Sequence, residues 1–279
     1  MTSESVTSTR PSPLRFLEPL VSAVWVLFLV WSLLVAVIWS VGIGEAEVID
    51  WTTRHFHSEP IPAGGQKTGL QEAVIAFLSI VDQVWVILAA LNVYTLTAAR
   101  EGLSTARKWG LMTVLAIGII AWASVQTSWP LGPILYTKLL GAKLFGVPYG
   151  VPLFWFAAVV GARGLMLQLQ PALPQLRLAF SAGAMTLFLD FALEPVAWKL
   201  RVFWLWYAAR LPAGKWPPIQ NYGTWFLVGA LLTYFMRESR VARPRSETLR
   251  SPGGVFIIIF LVLTAANLGR ILHGGMVVR

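Results

Sequence analysis

An all-α, polytopic membrane bundle of about seven transmembrane helices is what this sequence predicts, on three observations. Hydrophobic residues fill 56% of its 279 positions and charged residues only 13%, against about 45–50% and 25% in soluble domains. Mean hydropathy is +0.66. Seven apolar stretches, nearly free of charge, each approach the ~20 residues that carry a helix across ~30 Å of hydrocarbon. That composition leaves too little polar surface for a water-soluble enzyme. Cysteine is absent, which removes disulfide frameworks, thiolate metal sites and cysteine nucleophiles.

The first span lies between Pro19 and Gly44, where no charge falls. It is too long for a signal-peptide core and lacks a small-residue cleavage site, so it reads as a retained helix. The second, about Leu70 to Leu96, is interrupted near its middle by Asp82. A third runs from Trp109 to about Val125. The fourth starts near Pro148, read as a first-turn proline, and continues to about Leu167. The fifth, about Leu178 to Ala197, carries Asp190 and Glu194. Tyr222 to Met236 makes a short sixth and Val255 to Leu272 a seventh. Residues 1–18, rich in Ser and Thr, read as a disordered cytoplasmic tail, and residues 19–279 as a single integral-membrane domain without repeats.

The net charge of +9 accompanies no nucleic-acid reader motif. Basic residues instead flank spans and meet anionic headgroups, and the fourteen tryptophans suit the interfacial zones. Arg10, Arg15, Arg100, Arg107, Lys108, Arg237, Arg240, Arg243, Arg245 and Arg250 fall on one side of a seven-span chain. The loop from Glu45 to Gly69, with four acids against Arg54 and Lys67, falls on the other. This bias places the N-terminus in the cytoplasm of a bacterial inner membrane. Lys199, Arg201, Arg210 and Lys215 count against it, unless their aromatic surroundings hold them in the interface.

Three polar features have simple explanations. Gly64 to Thr68 suggests a phosphate loop, but the glycine before Lys67 is missing and no buried strand precedes it. His55 and His57 near Glu59 lack a third spaced ligand, so no metal site is assigned. His273 sits at headgroup level. The acids inside the spans are different. A carboxylate at bilayer depth costs ~2.5–3.5 kcal/mol or more, and persists where it faces protein or water and has a partner or a task. Asp190 and Glu194, four residues apart, share one helix face. Two carboxylates so close in low dielectric do not both ionise easily, and a carboxyl that keeps its proton is a candidate general acid. The alternative is a structural ion pair with Arg163 or Lys199. Asp82 is the third candidate catalytic acid.

Two stretches dense in Gly, Pro and aromatics stand apart: Trp129 to Gly150, and Trp204 to Trp225. Each reads either as an interfacial loop with an aromatic belt or as the wall of a site for a long apolar molecule, since irregular backbone at membrane depth survives only where it is buried or lines a cavity.

Together these stretches resemble the bacterial and archaeal carotenoid biosynthesis membrane family that includes the carotenoid 1,2-hydratases. The resemblance rests on Gly132-Pro133, Tyr136-Thr137, Gly141, Gly146-Val147-Pro148 and Trp155. It continues in Asp190, Glu194-Pro195, Ala197, Trp204-x-Trp206, Pro218 and Asn221-x-x-x-Trp225. It covers roughly Gly132 to Trp225. The chain departs from the pattern at Ala121, where a glutamate is expected, and at Ile134, where an aromatic is expected. The resemblance implies addition of water to the terminal double bond of an acyclic carotenoid, without a redox cofactor. The partners it implies are a membrane-dissolved carotenoid or isoprenoid, the lipid bilayer and other membrane enzymes of the pathway. Protonating a trisubstituted alkene gives a tertiary cation, so the step needs a dry acid, for which Asp190, Glu194 and Asp82 are candidates. It also needs aromatic faces to stabilise the cation. Tyr136, Trp155, Trp204, Trp206, Asn221 and Trp225 are the candidate substrate-binding residues. Two other functions fit the same residues: proton-coupled transport along intramembrane carboxylates, although no inverted repeat is visible, and carotenoid or lipid binding without catalysis.

Overall fold

Helices appear where the charge-free stretches predict them. The computed structural model describes residues 18–42, 69–137, 139–206, 217–236 and 249–272. These contain α1 (Glu18–Ser40), α2 (Gly69–Glu101), α3 (Leu103–Thr127), α4 (Gly150–Leu169), α5 (Gln175–Glu194), α6 (Ile219–Phe235) and α7 (Pro252–Leu272). Six of the seven are long and apolar enough to cross a membrane. The exception is α6, whose 17 residues rise only about 26 Å. Prolines set several boundaries. Pro174 and Pro218 precede the first turns of α5 and α6, where a missing N–H costs nothing. At α4 the expectation is corrected: Pro148 is paired in a strand and the first-turn proline is Pro152.

The most deeply buried helix is α4, and it packs on α2, α3, α5 and α7, with α1 closing the bundle against α2 and α7. The outer faces carry Leu, Ile, Val and Phe, as lipid contact requires. Helices α5 and α6 approach closely because Gly229 faces Thr186. A Cβ at Gly229 would collide with the Thr186 hydroxyl, which itself donates across the interface to the Trp225 carbonyl at 3.0 Å. Small residues at such crossings are the usual means of close helix contact in membranes.

After Glu194 the chain does not stop at Pro195 but winds one wider, π-helical turn, Pro195–Leu200. It then enters a short strand, β4 (Trp204–Trp206), which pairs antiparallel with β1 (Ile134–Tyr136) in the register Ile134 to Trp206, Leu135 to Leu205 and Tyr136 to Trp204. A second small pair joins β2 (Lys143–Leu144) to β3 (Val147–Pro148). The two Gly/Pro/aromatic stretches thus meet at one end of the bundle. Gly132 makes the entry to β1 possible: its φ is +122°, and a Cβ there would strike Pro218, two faults that only glycine avoids.

The tail 1–17, the acidic loop with His55 and His57, the Gly64–Thr68 segment, Arg210, Lys215, most of the basic loop 237–248 and His273 lie outside the described residues.

Candidate functional site

A small, largely apolar cavity lies beneath the β1–β4 pair. Alternation along the strands builds its roof. Side chains at every second position share a face, so Ile134, Tyr136, Trp204 and Trp206 line the cavity while Leu135 and Leu205 face outward. This accounts for the Trp-x-Trp spacing. Helices supply the walls: Trp39 from α1, Asp82, Trp85 and Val86 from α2, Val151, Phe154 and Trp155 from α4, Leu193 from α5, and Asn221 and Trp225 from α6.

The aromatic rings form a continuous arc. Phe203 lies edge-on to Trp39 at 6.0 Å, Trp39 edge-on to Trp85 at 5.1 Å, and Trp85 against Phe154 at 6.3 Å. Phe154 meets Trp225 at 6.5 Å, and Trp225 stacks on Trp155 with centroids 3.7 Å apart and planes 18° apart. A polar cluster stands at each end of this arc.

At the first end is Asp82. Arg201 donates to its Oδ2 through Nε at 3.0 Å and Nη2 at 2.6 Å, and Trp39 Nε1 donates to Oδ1 at 3.0 Å. All three residues are buried. Asp82 lines the cavity and Arg201 stands behind it. Asp82 lies well inside α2, which runs from Gly69 to Glu101, and its carboxylate is buried there. Arg201 is buried against Asp82 rather than held in an aromatic interface. The π-helical turn carries it inward, where a buried carboxylate requires a cation.

At the second end are Asp190 and Glu194. Their shared helix face is as expected, and α6 meets it with Asn221, in its first turn. Asn221 Nδ2 donates to Asp190 Oδ2 at 2.8 Å and to Glu194 Oε1 at 2.9 Å, and Trp206 Nε1 donates to Glu194 Oε2 at 3.1 Å. Neither Arg163 nor Lys199 takes part. Arg163 donates to the Met236 carbonyl at 3.1 Å and lies over Trp109, while Lys199 lies over Trp198. The ion-pair alternative with those partners is therefore corrected: the bridge is an amide. The two carboxyls also do not themselves line the cavity; they stand directly behind Asn221 and Trp206, which do. Asp190 Oδ1 and Trp204 Nε1 are buried without a hydrogen-bond partner.

All six residues expected to bind substrate, Tyr136, Trp155, Trp204, Trp206, Asn221 and Trp225, thus meet at one cavity, with Asp82 beside them. Sequence reasoning missed Trp39, Trp85, Phe154 and Arg201. The signal for Arg201 was Asp82 itself, an intramembrane carboxylate without an assigned cation. Ala121 is buried in α3 away from the cavity lining, and Ile134 lines it.

The sequence model of one protein family, described as carotenoid biosynthesis protein, matches residues 81–277, which include every residue of the cavity except Trp39. The chain belongs to the carotenoid biosynthesis protein family. Among curated family relatives it is 33% identical over 144 residues to a bisanhydrobacterioruberin hydratase of Haloarcula japonica, a match covering 50% of this chain and 46% of that protein. The similarity therefore spans just under half the length of that relative. No solved structure matches the chain.

Proposed function

We propose that this membrane protein of carotenoid biosynthesis is a hydratase, adding water across the terminal double bond of an acyclic carotenoid. The observation that carries the reading is the buried Asp190–Asn221–Glu194 bridge set in the wall of an apolar, aromatic-lined cavity. Among the described residues no cation pairs with either carboxyl. Two unpaired carboxylates at this depth would be far costlier than carboxylic acids, so the pair stores the proton the reaction needs.

The steps balance without a further reactant. A carboxyl of the pair gives its proton to one carbon of the terminal alkene, and the π bond becomes the new C–H bond. The adjacent carbon becomes a tertiary cation facing the Trp155–Trp225 stack and the Trp204 and Trp206 rings. Aromatic faces stabilise a desolvated cation by ~2 kcal/mol or more. Water then forms the C–O bond and returns a proton to the carboxylate, leaving a tertiary alcohol. Asn221 and Trp206 donate to the carboxylate that remains after proton release, which lowers the cost of releasing it. Trp206 and Asn221 stand between the acids and the cavity, so the alkene approaches the acids by displacing part of that wall.

The test is pigment analysis by mass in a lycopene-producing host. Expression of this chain should yield a more polar pigment heavier by one water. Saturating expression with verified substrate and no such product overturns the reading. A second reading, carotenoid binding without turnover, is favoured by Ala121, which places no carboxyl where the family resemblance expects one. Tight binding of unchanged pigment would select it. Proton-coupled transport has less support, since no hydrogen bond among the described residues joins Asp82 to the Asp190–Glu194 pair.

A further inference from the structure

We infer that Asp82 is a fixed anion facing the cavity, held there by Arg201, and that together they form a binding site for a positively charged end group on an isoprenoid chain. The inference rests on the hydratase reading only for the identity of that charge: in the reaction it is the tertiary cation. The anion site itself stands on geometry.

A buried ion pair can be a brace, in which both charges are used up on each other. This one is built asymmetrically. Asp82 lines the cavity and Arg201 does not. Both hydrogen bonds from the guanidinium to Asp82 go to a single oxygen, Oδ2, while Oδ1 is held by the Trp39 indole. The carboxylate is therefore held in one orientation in the wall of an apolar chamber, with its counter-ion outside the lining. In such surroundings a fixed charge acts over distance with little screening. Trp39, which holds Oδ1, packs edge-on with Trp85 and Phe203, and all three rings line the cavity.

The position of Arg201 comes from the π-helical turn Pro195–Leu200, closed by the Arg201 amide donating to the Val196 carbonyl at 2.8 Å. Such turns place side chains that a regular helix would direct elsewhere. Arg201 is a positioning residue: it acts through Asp82.

The probe is a protonated tertiary amine on an isoprenoid chain, N,N-dimethylgeranylamine, compared with its neutral carbon isostere in detergent solution. Wild-type protein should bind the ammonium at least about tenfold more tightly, as close charge pairs in desolvated sites do. The double variant Asp82→Asn/Arg201→Met removes both charges at nearly constant volume, a change buried ion pairs often tolerate, and should bind the two probes equally. Equal preference in wild type and double variant would overturn the inference, because a brace has no reason to distinguish them. Where the double variant does not accumulate, Arg201→Lys decides. It keeps the charge and loses the two-point hold, so a reduced ammonium preference supports the inference and an unchanged one overturns it. With lycopene in mixed micelles, the double variant should lose about 100-fold in kcat, the scale of one preorganised electrostatic group, with KM little changed. Ammonium preference without hydration of lycopene by wild-type protein would remove the hydratase reading and leave the anion site standing.

Discussion

The two polar clusters along the aromatic arc both bury carboxyl groups and solve that burial in opposite ways. At Asp82 a guanidinium supplies a counter-charge from behind the cavity wall, and the carboxylate is held by three N–H donors. At Asp190 and Glu194 no cation is supplied among the described residues, and an amide and an indole serve two carboxyls. A compensated acid keeps its charge and cannot easily take up or release a proton. An uncompensated pair gains from holding a proton. The counter-ion, more than the carboxyl, decides which chemistry each cluster can do.

That contrast can be broken by substitution. Asp190→Asn and Glu194→Gln should each lower hydrated-pigment yield by about 10²–10⁴-fold, the range for loss of a general acid; full activity in both would leave the pair without a chemical role. The stability effects should run the other way. Asp82→Ala strands Arg201 in the interior and should cost about 3–5 kcal/mol. Asp190→Ala leaves no opposite charge behind and should cost about 1–3 kcal/mol, a difference that thermal melts in detergent would resolve. Gly229→Ala forces α6 away from Thr186 and should destabilise by about 1–3 kcal/mol. It should also loosen the Asn221 bridge, so activity should fall more than stability alone explains. Smallest of all, Trp206→Phe leaves a smaller aromatic ring and removes one donor to Glu194, worth about 0.5–1.5 kcal/mol. Its effect should appear in kcat rather than in carotenoid binding, as initial rates at varied substrate loading would show.

Much of this was legible in the sequence because it depends on short-range periodicity. Charge-free runs located the helices, a spacing of four put Asp190 and Glu194 on one face, and a spacing of two put Trp204 and Trp206 on one side of a strand. The residues that escaped depend on long-range meeting. Arg201 lies 119 positions from Asp82 and reaches it only because the chain winds a wider turn after Pro195, which nothing in the hydropathy profile marks. Its basic character read as a loop charge. Nothing in the sequence separates Trp39 and Trp85 from the other tryptophans, since only the fold shows which face of each helix meets the cavity. Pro148 was read by its helix-starting habit, whereas its neighbours Lys143 and Leu144 hold it in a strand pair.

The cavity sits under the β1–β4 roof, at one extremity of the bundle rather than halfway across it. If hydration happens there, the new hydroxyl is made beside one leaflet's headgroups, with the unreacted polyene trailing toward the opposite leaflet. A symmetrical substrate would then be modified at one terminus per visit, and its far terminus could react only after the molecule had left, turned end over end in the bilayer, and come back.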